Sequence, residues 1–395
     1  MSYLLLRNVR LMGGAPVDVC VEDGIITEIA KTIEAPPETK IEDGKGQLLV
    51  PGFVDAHMHL DKTFWGLPWR PHQAGPLTID RIENERRLRR EEDVSSEDQA
   101  IKLMRQAIAK GTTHIRSHVD IDTEISLANL EGTLAARDRM KDHVTVQLVA
   151  FPQSGMLVNP GAADLLDLAI TAGADLVGGI DPSIIERDPA GHIDGIFAIA
   201  DRHGCGIDIH LHEPGNLGGF AIELIADRTR ALGLQGKVNI SHAFCLGLVD
   251  QPYFEKLAGL LADNEISIMT HAPGYIAFPP IKPLREAGVV LCSGSDNVRD
   301  AWGPYGNADM LERAMLLGYR SNFRLDQDIE TALDITTFGG AAVMGAESYG
   351  LEVGNQADFV VVPGETLAEA VVNRPPRTLV VKGGVVVARD GNCLV

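Results

Sequence analysis

Between residues 51 and 346 the chain repeats one local pattern eight times: a short run rich in β-branched residues, then a stretch of helical period. Strands separated by helical crossovers pair in parallel, so this alternation constrains the fold more than any other feature. The expected strands are Phe53 to His59, Thr113 to His118, Val144 to Ala150, Asp175 to Ile180, Gly206 to Leu211, Lys237 to His242, Ile266 to Thr270 and Val289 to Ser293. Ser96 to Lys110 and Asn307 to Leu317 are among the expected helices. Eight such units make a (β/α)8 TIM-like barrel, an α/β fold. A doubly wound open sheet is the rival, but no Gly-x-Gly-x-x-Gly follows a strand to support it.

The two ends of the chain read differently. Residues 3–50 alternate apolar and polar positions with hairpin punctuation, as in Val17-Asp18-Val19-Cys20-Val21-Glu22-Asp23-Gly24, and the same style returns at Asp358 to Val362 and Thr378 to Val387. The termini are therefore expected to pair into one small discontinuous β-sandwich from residues 1–50 and 347–395, with the barrel at 51–346. No Pro/Gly/Ser-rich linker or repeat interrupts the series.

Composition narrows the partners. A net charge of -20, from 35 basic and 55 acidic residues, argues against nucleic acid or an anionic membrane as partner. The run Arg81 to Arg90 is interleaved with Glu83, Glu85, Glu91 and Glu92 and reads as a solvated helix face. Cys20, Cys205, Cys245, Cys292 and Cys393 are scattered and odd in number, which suits a reducing compartment. The N-terminus lacks the basic start and long apolar centre of a signal peptide, so a cytoplasmic protein is expected.

The polar residues that carry chemistry fall at the C-terminal ends of the expected strands, where barrel active sites are built. His57 and His59 end the first strand, His118 the second, and Gln153 follows the third. His210, His212 and Glu213 end the fifth, His242 the sixth, and Asp296 follows the eighth. Each has an ordinary alternative: a hydrogen-bonded core histidine, or, for Asp296, a helix cap. His57 and His59 lie two apart on one strand, so both imidazoles face one point and suit a divalent cation. Recurrence of such residues at several strand ends points to a shared metal site. His114, His143 and His203 lack that placement.

With these words in order, the chain resembles the amidohydrolase superfamily, and within it the cytosine deaminase-like branch. The matching segments are Pro51-Gly52-Phe53-Val54-Asp55-Ala56-His57-Met58-His59-Leu60-Asp61, Arg116-Ser117-His118-Val119-Asp120, Val149-Ala150-Phe151-Pro152-Gln153-Ser154-Gly155 and Asp296-Asn297-Val298-Arg299-Asp300-Ala301-Trp302. The resemblance implies that His57, His59, His210 and Asp296 bind one divalent metal ion per subunit, Zn2+ or Fe2+. No lysine stands in Asp175 to Ile180, where dinuclear relatives carry a carboxylated one. It further implies that Asp296 accepts a proton from a hydroxide-forming water, that His242 orients the nucleophile, and that Glu213 protonates a ring nitrogen and the departing amine. Gln153 would read a ring edge, Trp302 would stack on a flat ring, and His118 would take a pocket or supporting role.

Three residues depart from the cytosine deaminase pattern: Lys62 after the His-x-His-Leu-Asp word, His212 between His210 and Glu213, and Asn297 after Asp296. All are candidate substrate contacts. The resemblance therefore implies hydrolytic release of ammonia or an amine from an amino-substituted, cytosine-like heterocycle. An N-alkylammelide-type triazine hydrolase of the same branch is the alternative, and a hydantoinase-like cyclic-amide hydrolase a more distant one. A small-molecule substrate and a homo-oligomer are the expected partners.

Overall fold

The computed structural model describes residues 2–91, 94–274 and 276–395, so Glu92 of the charged run lies outside the described residues. The eight expected barrel strands form at Phe53–Met58, Thr112–Asp120, Thr145–Phe151, Leu176–Ile180, Gly206–Leu211, Val238–His242, Ser267–Met269 and Leu291–Cys292. They pair in parallel in chain order as one eight-stranded sheet. Residues of these strands are buried on both faces almost throughout, so polar side chains such as Asp55, Arg116 and Asp208 are enclosed along with the apolar ones.

Backbone bonds close the ring. Ala56 N donates to Ser293 O at 3.0 Å and Asp296 N to His57 O at 2.8 Å. Gly294 makes this approach feasible, because a Cβ there would lie 2.3 Å from the His57 carbonyl oxygen.

Helices cover the outside. One is Ser96–Ala109, capped by Ser95, whose side chain accepts from Asp98 N. The helix expected at Asn307 to Leu317 runs from Met310 to Arg320, three residues later than expected. Asp309 causes the shift: its carboxylate accepts from Leu311 N and Glu312 N, so residues 307–309 are cap rather than helix. Among the described residues no helix is long and apolar enough to cross a membrane.

The termini do meet, in a nine-stranded sheet. Phe359–Val362 pairs antiparallel with Leu48–Pro51, joining the C-terminal strands to the N-terminal ones. The two-residue side-chain period divides this seam between two cores. Phe359 and Val361 pack with Leu4, Leu6, Val19 and Val381 in the sheet's own core, whereas Val360 and Val362 join the barrel's. The chain then passes into the barrel at Gly52, where a Cβ would meet Thr113 Oγ1 at 2.2 Å.

The expectation for Arg81 to Arg90 needs correction. This run lies in a helix, Thr78–Glu91, but Ile82 and Glu85 are buried and Arg89 binds Glu85 at 3.1 Å. Positions 81–82, 85 and 89 share one helix face, which docks against the barrel mouth. Arg87 and Arg90 keep the expected solvated character, pairing with Glu91 and Glu124.

Arg377 fastens the terminal sheet to the barrel. Buried against the Phe53 ring at 5.3 Å, it donates to Lys110 O at 2.8 Å and forms an ion pair with Asp309. Arg377→Ala would leave the Asp309 carboxylate poorly compensated and is expected to cost about 3–5 kcal/mol, read as a lower urea midpoint. Arg377→Lys should recover part of that loss; a wild-type midpoint in the alanine variant would contradict this account.

Candidate metal centre

His57 ends the first strand facing into the barrel, and its orientation is set from behind. Ser241 Oγ donates to Asp208 Oδ1 at 2.7 Å, and Arg116 donates to Asp208 Oδ2 at 3.0 Å. With its hydrogen engaged, Ser241 Oγ accepts from His57 Nδ1 at 2.9 Å. That tautomer leaves the Nε2 lone pair free, and Nε2 has no hydrogen-bond partner although it is buried. It lies 3.5 Å from Asp296 Oδ1, and His59 Nε2 lies 3.5 Å from the same oxygen.

His210 completes the set from the fifth strand. Its ring stacks on Phe151 at 4.0 Å between centroids and sits 4.6 Å from the His57 ring, with both nitrogens buried and unpartnered. Ligand atoms of His57, His59 and Asp296 lie within 4.8 Å of one another, as do those of His57, His210 and His242. Three imidazoles and one carboxylate, with His57 Nε2 and both His210 nitrogens buried and unpartnered, fit a divalent cation.

Burial disfavours charge on most of the histidines gathered here. Burial pushes His59 and His271 down to about 4 and His118 to about 3, and holds His210 and His242 well below the ordinary histidine value. Burial thus favours the neutral, lone-pair-bearing form of each of these rings. For Asp296, burial opposes ionisation, but the surrounding imidazoles, His271 and His242 first, overcome it and hold the carboxyl well below its usual range. Asp296 (φ 57°) and His242 (φ 74°) both occupy the left-handed region that non-glycine residues rarely adopt.

A cavity of about 170 Å³ opens above this cluster. His59, His210 and Asp296 are among its lining residues, and Gln153, His212, Asn297 and Trp302 line it too. Pro76, Phe244 and Ile276 give it an apolar part. Lys62 stands behind Gln153, donating to its Oε1 at 3.0 Å. An ammonium only donates, so the amide oxygen must face Lys62 and the amide NH2 is left for the cavity. Asn297 donates its NH2 to Asp300 Oδ2 at 2.6 Å, which leaves its carbonyl oxygen free to accept. His118 lies beside this cluster, its ring 4.1 Å from that of His57.

The neighbours His212 and Glu213 part company. His212 Nδ1 pairs with Asp181 Oδ2 at 2.9 Å, and the ring stacks on His242 at 4.4 Å. Burial would lower its pKa, but the Asp181 carboxylate outweighs this and raises it. Glu213 Oε1 instead accepts from the backbone of Ser183 and Ile184 at 2.5 and 2.7 Å, and burial raises its pKa.

Several participants escaped sequence reasoning. His271 follows the seventh strand, lines the cavity, and places Nδ1 3.5 Å from Asp296 Oδ2 and 3.3 Å from His242 Nδ1. The strand-end rule that found the other histidines would have found it. Asp181, directly after the fourth strand, was open to the same rule. Asp208 lies within a strand and carries no such signal.

Fold and site together define a parallel α/β barrel with a histidine and aspartate cluster at its mouth that could hold a metal ion. An amidohydrolase family model matches residues 89–393, and the chain belongs to that family. It is a hydrolase acting on C–N bonds. It is 32% identical to N-isopropylammelide isopropyl amidohydrolase of Pseudomonas sp. (strain ADP), an alignment covering 98% of this chain and 97% of that one. The crystal structure of N-isopropylammelide isopropylaminohydrolase from Burkholderia multivorans superimposes with a TM-score of 0.97 at 46% identity, covering 100% of both chains. That of 5-methylcytosine deaminase from Klebsiella pneumoniae, liganded with 5-fluorocytosine, gives 0.87 at 27% identity, covering 98% of this chain and 97% of that one.

Ser241→Ala removes the acceptor that orients His57 while leaving every proposed ligand in place. Metal affinity should fall about 10–100-fold, measured by competition with a chromogenic chelator. Unchanged affinity would refute the orienting role of Ser241.

Proposed function

We propose that the protein hydrolyses an N-alkylated amino-triazine of the N-isopropylammelide type, breaking the exocyclic C–N bond to give the ring carbonyl and a free alkylamine. The observation that carries this reading is 46% identity over full length to an enzyme of that name, well above the 27% to the deaminase. The cavity supports it independently. Gln153 and Asn297 offer a donor and an acceptor to a ring edge, Trp302 offers a flat face, and Pro76, Phe244 and Ile276 offer apolar contact for an alkyl branch.

A divalent cation, Zn2+ or Fe2+, would be held by His57, His59, His210 and Asp296 and would supply the Lewis acidity that makes water nucleophilic near neutral pH. Asp296, ionised at rest, takes the proton released by the attacking water. His242 and His271 flank Asp296 and hold the attacking oxygen in line. We assign the proton for the departing amine to His212, which lines the cavity and is fixed by Asp181. Glu213, with one oxygen on the Ser183 and Ile184 amides, braces the loop after the fourth strand.

The reading is tested by incubating metal-loaded protein of measured metal content with N-isopropylammelide, cytosine and 5-methylcytosine, and assaying isopropylamine and ammonia separately. Isopropylamine release is expected. Ammonia from the pyrimidines alone would favour the deaminase reading, and neither product would sink both. Chelation should abolish turnover and restoring the metal should recover it. Asp296→Ala should be inactive, since a ligand and the proton acceptor vanish together.

His212→Gln should bind substrate yet lower kcat by about 10²–10⁴, as expected for loss of a general acid. Glu213→Gln should be milder by at least about tenfold, because its contacts are structural. The reverse order would return the acid role to Glu213.

A further inference from the structure

Beside the cavity lies a buried cluster of charges that the reaction above does not use. Lys62 Nζ contacts Glu85 Oε2 at 3.3 Å and Asp120 Oδ1 at 3.0 Å, besides Gln153. Glu85 Oε1 takes Arg89 at 3.1 Å, and Glu85 Oε2 also accepts from the indole N–H of Trp302. The Lys62 ammonium stands 5.7 Å from the Trp302 ring centroid. Glu85 therefore touches one cavity-lining residue directly and reaches another, Gln153, through a single lysine.

The chemistry of these neighbours dictates a carboxylate. The Lys62 ammonium and the Trp302 indole present donors only, both to Glu85 Oε2, and the Arg89 guanidinium forms an ion pair with Oε1, so an ionised acceptor suits the place between them. Glutamine would set an NH2 against one of those donors. Aspartate is shorter by one methylene and would lose reach. Glu85 also comes from helix Thr78–Glu91, not from a strand end, and Thr78 and Arg81 of that helix line the cavity as well.

We propose that Glu85 is the positioning residue of the ring-binding slot: one carboxylate fixes the Trp302 indole and, through Lys62, the Gln153 amide, and thereby sets which planar ring the cavity accepts. The proposal rests on the heterocycle reading of the site. Glu85 contacts no reacting atom. It acts on ring binding through its two partners, so its loss falls on KM rather than on the bond-breaking step.

The test uses the full-length, metal-loaded protein with Trp65 and Trp69 changed to Phe, which leaves Trp302 as the one tryptophan of the three. In this background Glu85→Gln should about double acrylamide quenching of Trp302 fluorescence. It should raise KM for any ring turned over at least about tenfold while kcat changes less than about threefold. Metal content should stay at the parent value. Adding Trp302→Phe to Glu85→Gln should raise KM by less than the product of the single effects, because both act on one wall. Unchanged quenching overturns the proposal whatever the substrate proves to be, and so does increased quenching with unchanged KM. If no ring in the panel is turned over, the heterocycle reading falls, whereas increased quenching would still uphold the positioning of Trp302 by Glu85. Glu85→Asp keeps the charge and loses the reach; it should show the same quenching increase, and it serves if the glutamine variant does not fold.

Discussion

The site exists because the barrel closes. His57 and Asp296 come from opposite ends of the barrel sequence, and the bond from Asp296 N to His57 O makes them neighbours in the same act that completes the sheet. A second tie reinforces it. Asp55 accepts from Ser295 N at 2.8 Å and Ser295 Oγ at 2.5 Å across a separation of 240 residues. Burial raises Asp55 to about 6 even against these hydrogen bonds and the attraction of Arg313. Ligand geometry and barrel closure are thus one constraint, and Gly294 is where it is tightest.

Around this joint the interior carries more charge than a core normally tolerates. The Arg116–Asp208–Ser241 chain lies below the ligands, and the Lys62–Glu85–Asp120–Arg89 cluster lies beside the cavity. Replacing a buried ion pair by apolar residues is often neutral or stabilising, so stability alone does not explain such clusters. Their geometry does: the first fixes a tautomer of His57, the second fixes the faces of Gln153 and Trp302. Each converts electrostatic cost into orientation of a neutral group.

What the sequence made legible follows from the range of the forces involved. Barrel strands announce themselves by local β-branched runs, and strand-end histidines by their offset from those runs, so His57, His59, His118, His210 and His242 could be placed without a structure. Helix starts were less secure, because Asp309 caps by a side-chain contact that periodicity does not encode. The hidden part is the long-range network. Glu85 meets Trp302 across 217 residues and sits in a charged run whose composition says only that most of it is solvated. The different fates of His212 and Glu213 were also hidden, since the strand ends at Leu211 and its two-residue alternation no longer fixes which way each points.

This division bears on how such a site can change its substrate. Residues that would hold the metal sit on strand ends and are bound into barrel closure, so altering them disturbs fold and chemistry together. Gln153, Asn297 and Trp302 lie in loops beyond the strands, held by Lys62, Asp300 and Glu85. A substitution among these supports would re-aim a donor, an acceptor or a ring face while leaving the hydrolytic centre intact. Asn297 illustrates it: directly after a ligand, it is oriented by Asp300, whose own pKa burial raises to about 7. With Asn297 donating to that carboxyl, the pocket receives a neutral carbonyl acceptor, which suits a ring edge that donates N–H or O–H. On the proposed reading, selectivity would reside in residues one contact removed from the reaction, where change costs the fold least.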